Sequence, residues 1–262
     1  MNSKLVSAAL ILICIACNNS NSAFPQSKIY ENNLSDTTAR FNPYKKIINI
    51  PLPQGFQRMN ADSNSFAYWL QSVPLKKNKT VFLYNGTPKE NQSAQFAVLD
   101  IPTGNKDLQQ CADAVMRLRA SYLFDYKKFD NITFWDNEKG MYHFEQPYTK
   151  EHFDTYLERV FGMCGSASLS KQLKSKKMED IEPGDVLIRG GFPGHAVIVM
   201  DVATNSDGKK IYLLAQSYMP AQDIHLLNNP MNKDLSPWYE VNDEKVIETP
   251  EYTFTRDELK EW

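Results

Sequence analysis

Residues 181–201 read IEPGDVLIRGGFPGHAVIVMD, and this stretch predicts two buried strands that meet at a tight corner. The first apolar run, residues 186–188, follows a Pro-Gly-Asp turn signal, and the second, residues 196–200, follows a break rich in glycine and proline. Because each run is continuously apolar, both strands should be buried on both faces. His195 stands where the break ends and the second strand begins. Its imidazole is therefore either a satisfied core histidine or a side chain held rigidly at the edge of a cleft.

The composition predicts one sizeable hydrophobic core. The chain has 262 residues, of which 42% are hydrophobic and 12% aromatic, which is enough for one main domain. The formal net charge is −2, so basic residues are not in excess. Because nucleic-acid binding needs a basic surface, nucleic acid is not an expected partner.

The first residues have the pattern of an export signal. Lys4 is the only charged residue among the first 16, and residues 5–16 are almost wholly apolar. That apolar run is too short to span a bilayer and is typical of a signal-peptide core. It ends in Cys-Ile-Ala-Cys17, which resembles the lipobox of bacterial lipoproteins, with cysteine where leucine is usual. The resemblance implies lipid attachment at Cys17, whereas an ordinary signal peptide cleaved nearby is the alternative.

Three segments are predicted along the chain. Residues 1–17 form the lipoprotein signal, residues 18–47 a polar tether, and residues 48–262 a single globular domain. The tether has few apolar residues and no hydrophobic period. A lipid anchor would hold the protein on a membrane of the bacterial cell envelope, the periplasmic face being favoured, without a transmembrane helix.

Cys111 is the first candidate for a reactive side chain. Asp107 and Gln110 have capping-box spacing, which predicts a helix over residues 108–125 with Cys111 in its first turn. Unpaired backbone N–H groups and the positive end of the helix dipole favour a thiolate there, and so a nucleophile. The alternative is that Cys111 is a small buried hydrophobic residue on the helix face.

The Pro-Gly-Asp turn followed by a strand that opens with His195 resembles the histidine half of NlpC-type cysteine peptidases and their papain-like relatives. Such enzymes need a cysteine earlier in the chain, at the start of a helix, and Cys111 meets that demand. The resemblance implies that Cys111 attacks the substrate and that His195 carries the proton. The predicted fold class is α+β: an antiparallel sheet with a packed helix that bears the cysteine, preceded by an N-terminal α+β subdomain.

Gln216 is the candidate for the group that orients His195. It lies on a strand that returns after an Asp-Gly turn, and a two-residue turn would place it opposite Val199. It would then point to the same side of the sheet as His195. Gln216 resembles the polar third member of papain-like sites. A bulge would bring up Ser217 or Gln222 instead.

The remaining cysteines and histidines are weaker candidates. Cys164 is a rival nucleophile, but it lies in a break between two helical stretches rather than at a helix start. In an exported protein Cys111 and Cys164 could also form a disulfide, which would leave neither thiol free to act as a nucleophile. His143 and His152 show no metal-ligand spacing, so neither a metal nor a cofactor is expected.

Four longer runs are similar to an uncharacterised bacterial lipoprotein family that is known only as a domain of unknown function. They are LQQCADAVMRLRA at residues 108–120, GHAVIV at 194–199, LAQSYMPAQDIH at 214–225 and LSPWY at 235–239. The resemblance covers residues 48–262 and implies no particular activity.

Two functions from different classes follow as hypotheses. The first is a membrane-anchored envelope thiol hydrolase that acts on an amide and uses Cys111, His195 and Gln216 as its catalytic residues. The NlpC-type resemblance suggests peptides of the cell wall, or peptidoglycan, as its ligand. The second is a catalytically silent papain-like domain that serves as a binding or scaffold module. A cleft lined by aromatic residues that could stack on a sugar or peptide favours the second hypothesis; these residues are Phe192, Tyr218 and Trp238.

Overall fold

The computed structural model describes residues 40–262, which contain helices and a large antiparallel sheet. The helices are α1 (Phe66–Ser72), α2 (Cys111–Asp125), α3 (Lys150–Met163) and α4 (Ser166–Gln172). The strands are β1 (Phe56–Arg58), β2 (Gln95–Val98), β3 (Thr133–Trp135), β4 (Met141–His143), β5 (Lys174–Ser175), β6 (Val186–Arg189), β7 (His195–Asn205), β8 (Lys210–Gln216), β9 (His225–Leu227), β10 (Tyr239–Glu240), β11 (Val246–Glu248), β12 (Thr253–Thr255) and β13 (Leu259–Glu261). The predicted signal, the predicted lipid attachment at Cys17 and most of the predicted tether lie outside the described residues.

The two strands predicted from the Pro-Gly-Asp stretch lie at the centre of the sheet. β6 and β7 pair antiparallel, with Arg189 opposite His195. The nine-stranded sheet has the order β2-β9-β8-β7-β6-β13-β5, with β1 paired to the far end of β7 and β10 paired to β8. Two separate hairpins, β3–β4 and β11–β12, complete the strands of the described part of the chain.

Strand β7 is buried on both faces, as its unbroken apolar sequence predicts. Ala196 and Ile198 pack in the larger core cluster with α2 and the other helices. Val197 and Val199 pack in a second cluster on the opposite face, which includes Phe254 of the β11–β12 hairpin. Each fully buried aliphatic side chain of this kind stabilises the fold by about 1.5–3 kcal/mol.

The prediction of a mixed α+β fold with a helix against an antiparallel sheet is confirmed, but the N-terminal subdomain is not separate. β1 pairs with β7, and β2 pairs with β9, so the N-terminal elements extend the same sheet. Ile47, the last residue of the predicted tether, is fully buried. Asn42, near the end of the predicted tether, is also buried and donates to the Lys76 carbonyl oxygen.

The helix predicted over residues 108–125 begins at Cys111 and ends at Asp125. Its N-cap is Gln110, whose backbone N–H donates to the Asp113 carboxylate at 2.9 Å. The predicted cap, Asp107, instead accepts from the Ala221 backbone N–H at 2.7 Å. Asp107 also accepts from the Gln110 side-chain amide at 3.2 Å, so the long-range contact adds to the local one, and the helix itself begins at Cys111.

No helix among residues 40–262 combines the length and apolar character needed to cross a bilayer.

Candidate active site

Cys111 is the first residue of α2, and its thiol faces the open edge of β7. The pairing of β7 with β8 begins only at Ile198 opposite Ala215, so the backbone of Ala196 is open on that side. The N–H groups of Ala196 and Ala112 donate toward the Cys111 sulfur. The packing of α2 on β7 therefore places the thiol next to the residue that follows His195.

The resting thiol is protonated, contrary to the expectation of a thiolate at the helix start. The pKa of Cys111 is raised to about 11, chiefly by burial and in smaller part by the neighbouring Asp113. The backbone N–H groups act in the opposite direction but do not compensate for the lost hydration. At neutral pH the sulfur thus needs a base before it can act as a nucleophile.

His195 is buried beside Gln216. Its Nε2 lies 2.8 Å from Gln216 Oε1, and its exposed fraction is only 2%. The ring lies between aromatic neighbours, with centroid distances of 4.8 Å to Tyr218 and 4.8 Å to Tyr252. Burial lowers the pKa of His195 to about 4, although the Gln216 hydrogen bond raises it in part. The imidazole is therefore neutral at pH 7, and one of its ring nitrogens carries a lone pair, although the lowered pKa makes it a weaker base than an exposed histidine.

The register that places Gln216 near His195 differs from the predicted one by two residues. Ala215 pairs with Ile198, whereas the predicted register would place it opposite Met200, because the turn is longer than two residues and β7 is irregular between Val199 and Asp201. A shift of two residues keeps a side chain on the same face of a sheet. Gln216 thus reaches His195 despite the wrong register.

Neither alternative to Gln216, Ser217 or Gln222, forms a side-chain hydrogen bond with His195 in the part of the chain that the structure describes. The Ser217 hydroxyl donates to the carbonyl oxygens of Gln109, at 2.8 Å, and Gln222, at 2.9 Å. The Gln222 side chain is buried, and its Oε1 has no hydrogen-bond partner. Of these three residues, Gln216 is therefore the one whose side chain hydrogen-bonds the imidazole.

Cys111 and His195 are connected through neighbours that both residues contact. A direct hydrogen bond between the thiol and the ring is not among those formed by residues 40–262. Their shared neighbours are the Ala196 N–H and Tyr218, whose ring packs on His195 and whose pKa is raised in part by Cys111. Catalytic hydrogen bonds are often long in unliganded sites and shorten when substrate binds.

A cavity of about 360 Å³ opens beside Cys111. Its wall is mostly small or apolar, and its acidic lining residues among residues 40–262 are Asp107 and Asp113. Burial raises the pKa of Asp113 to about 8, so this carboxyl group is mostly protonated at pH 7. Cys164, the rival nucleophile, also lines this cavity from the end of α3, and both cysteines are free thiols. The disulfide considered from sequence is therefore not formed. Burial raises the pKa of Cys164 to about 12, so it is the less acidic of the two.

A second cavity, of about 480 Å³, lies on the other side of Met219, which lines both. Tyr218 and Glu251 line this second cavity. Of the three aromatic residues expected in the cleft, Phe192 lines the first cavity and is 96% exposed, and Tyr218 lines the second. Trp238 is not in the cleft: it is buried in the core and donates to the Pro51 carbonyl oxygen.

The side chains that contact the amide nitrogen of Gln216 were not predicted from the sequence. The Gln216 amide nitrogen donates to Glu251 Oε2 at 2.7 Å, and Glu251 pairs with the buried Lys89. The same amide nitrogen lies 3.4 Å from His225 Nε2. No local signal distinguishes Glu251 in the sequence, because the same hairpin also contains the charged Glu248.

Within the part of the chain that the structure describes, no group of three or more His, Cys, Asp or Glu side chains is arranged to hold a metal ion.

The pKa values predict how Cys111 reacts with iodoacetamide. Only the thiolate is alkylated, so the rate at Cys111 should rise about tenfold per pH unit from pH 6 to pH 9, without a plateau. Cys164, with the higher pKa, should react more slowly at each pH. Mass spectrometry of the peptides that contain each cysteine measures both rates. A pH-independent rate from pH 6 upward would instead reveal a thiolate–imidazolium pair.

The fold and site define a mixed α+β protein with a buried thiol at a helix start and an imidazole–amide pair on the neighbouring strands. Residues 47–261 match the family described as Domain of unknown function (4846), and the chain belongs to that family. No curated protein and no solved structure matches the chain. Membership of an uncharacterised domain family is thus confirmed, and the bacterial lipoprotein and NlpC-type resemblances stay predictions.

Proposed function

We propose that this protein is a papain-like thiol hydrolase that cleaves amide bonds with Cys111, His195 and Gln216. The observation that carries the proposal is the hydrogen bond of 2.8 Å between His195 and Gln216, at a strand start whose next backbone N–H, that of Ala196, meets the Cys111 thiol. A nucleophile, a base and a group that orients the base are the parts that thiol hydrolysis needs.

The protonation states support general-base activation of a neutral thiol. With Gln216 Oε1 accepting from Nε2–H, the lone pair of His195 Nδ1 is left to take the thiol proton as the Cys111 sulfur attacks the carbonyl carbon. Backbone N–H groups at the start of α2 are placed to stabilise the oxyanion. His195 then gives the proton to the leaving amine, which departs and leaves a thioester. A water molecule, deprotonated by His195, attacks the thioester and releases the acid and the thiol.

The cavity beside Cys111 supports a peptide as substrate. Its lining contains several glycines and short side chains, which leave room for an extended chain, and Asp107 is its ionised carboxylate, since burial raises the pKa of Asp113 to about 8. The side of the substrate that enters it should therefore be neutral or positively charged. Peptides of the bacterial cell wall remain the proposed source, and they rest on the NlpC-type resemblance.

Incubation of the mature protein with purified cell-wall muropeptides tests this function. Mass spectrometry should detect new amino and carboxyl termini with the unaltered protein and none with Cys111→Ala. Identical products from the two proteins would exclude this reaction on that substrate.

A second candidate function is a binding or scaffold module, and it is favoured by the aromatic side chains that cover His195. Tyr218, Tyr252 and Phe254 surround the ring, and the thiol and the imidazole have no direct hydrogen bond. In such a module the cavities would bind a peptide or glycan without turning it over. Saturable binding of muropeptides by the unaltered protein and by Cys111→Ala with equal affinity, without products, would support the second candidate.

The proposed location is a membrane of the bacterial envelope, with acyl chains on Cys17 as anchor. Cys17→Ser should move the protein from the membrane fraction to the soluble fraction, because no acyl chain would then be attached. Immunoblots of carbonate-washed membranes measure this change, and substitution of the adjacent Asn18 by Ser is the matched control. A Cys17→Ser protein that stays in the washed membranes would contradict the lipid anchor.

A further inference from the structure

Gln216 is held by acceptors on two sides, and their chemistry determines which way its amide points. Its nitrogen lies 2.7 Å from Glu251 Oε2 and 3.4 Å from His225 Nε2. Its oxygen lies 2.8 Å from His195 Nε2. An amide carries two N–H donors on nitrogen and only acceptors on oxygen, so each neighbour constrains the orientation.

Glu251 acts as an acceptor because its carboxylate is paired with a cation. Lys89 donates to Glu251 Oε2, and the Asn91 amide donates to Glu251 Oε1 at 3.1 Å. Both side chains of the pair are largely buried, at 9% exposure for Lys89 and 13% for Glu251. The carboxylate can therefore receive the Gln216 N–H, and it would repel the amide oxygen if the side chain were reversed.

His225 also presents an acceptor to the amide. Its Nδ1 lies 2.9 Å from the Asp223 carbonyl oxygen, which can only accept, so the proton of the neutral ring is on Nδ1. Burial lowers the pKa of His225 to about 3, which keeps the ring neutral. The lone pair on Nε2 then faces the Gln216 nitrogen. Glu251 and His225 thus require the same amide orientation.

We infer that Glu251 and His225 are positioning residues, which orient the Gln216 amide so that His195 carries its proton on Nε2 and keeps the Nδ1 lone pair free. The effect of this positioning on catalysis rests on the proposed function, whereas the tautomer of His195 follows from the contacts alone. The turn of the β11–β12 hairpin thereby belongs to the site, although it is remote from Cys111, His195 and Gln216 in sequence.

Nitrogen-15 NMR of the histidine side chains tests the tautomer without any substrate. In the unaltered protein, His195 should show a protonated Nε2 and a bare Nδ1, and His225 the reverse. The His195 resonances are assigned by comparison with His195→Gln. A protonated Nδ1 on His195 in the unaltered protein would overturn the inference, whether or not the protein is a hydrolase.

Variants of Glu251 connect the tautomer to turnover. Glu251→Ala should produce a mixture of His195 tautomers and lower kcat by about 10–100-fold with KM within about twofold, as expected when an outer partner is lost. Glu251→Gln keeps an acceptor oxygen and should retain the Nε2–H tautomer and most of kcat. Glu248→Ala, an exposed residue of the same hairpin, is the matched control.

Failure of the positioning role can be distinguished from failure of the proposed hydrolase function. An unchanged tautomer in folded Glu251→Ala overturns the positioning role, because the role predicts a mixture. A tautomer mixture in that variant supports the role even if no substrate is hydrolysed by any of the proteins, in which case only the proposed function fails.

Discussion

Cys111→Ala is expected to lower the rate of amide hydrolysis by about ten thousandfold or more, the largest effect among these predictions on activity. The substitution removes the only atom that can form the thioester, and the remaining hydrogen-bond donors cannot replace a covalent step. Binding of the substrate should change little, because the alanine side chain leaves the cavity wall intact. Initial rates of muropeptide cleavage, measured with equal concentrations of folded protein, give the ratio.

Cys164→Ala is the matched control for this experiment. Both cysteines are buried, both line the first cavity, and both are free thiols. Only Cys111 lies at a helix start next to the strand that begins with His195. The rate of the Cys164→Ala protein should stay within about threefold of the unaltered protein. If Cys164→Ala instead removed the activity and Cys111→Ala kept it, the nucleophile would be wrongly assigned.

Arg58→Ala is expected to lower the free energy of unfolding by about 3–5 kcal/mol, the largest effect on stability. Arg58 Nε lies 2.6 Å from Asp201 Oδ2, and the Asp201 side chain is fully buried. Burial raises the pKa of Asp201, and Arg58 is the strongest influence in the opposite direction. Without Arg58 the carboxylate keeps only the Gln71 amide and the Val202 N–H as partners.

Urea unfolding monitored by circular dichroism measures the change. Lys209→Ala is the control, because Lys209 and Glu240 form an ion pair at the surface whose side chains are 61% and 34% exposed. Its loss should change the free energy by less than about 1 kcal/mol. The double variant Arg58→Ala with Asp201→Asn should recover part of the lost stability, because the buried charge is then removed. Equal losses from Arg58→Ala and Lys209→Ala would contradict the account.

The central strands could be predicted because their information is local. Residues 186–188 and 196–200 are continuously apolar and separated by glycine and proline, so β6 and β7 follow from composition and turn chemistry. The helix that carries Cys111 was also predicted, although its first residue was not. The N-cap is Gln110 rather than Asp107, which accepts both from the distant Ala221 N–H and from the Gln110 side chain.

The site was predicted in part, for reasons that differ from residue to residue. Alternation along β8 placed Gln216 on the correct face, and an error of two residues in register could not change the face. A thiolate at Cys111 was wrongly expected, because the helix terminus is visible in the sequence but the loss of hydration on packing is not. Trp238 was placed in the cleft because its aromatic character does not distinguish a binding surface from a core.

The sequence by itself determined the α+β class, the buried β6–β7 pair and the identity of the cysteine, histidine and glutamine under consideration. These depend on periodicity and on neighbours within a few residues. Only the tertiary structure decided that β1 and β2 join the central sheet, that the two cysteines stay free, and that Glu251 and His225 surround Gln216. Each of those outcomes joins residues far apart in the chain, and their hydrogen bonds form only after the sheet has brought β7, β8, β9 and the β11–β12 hairpin together.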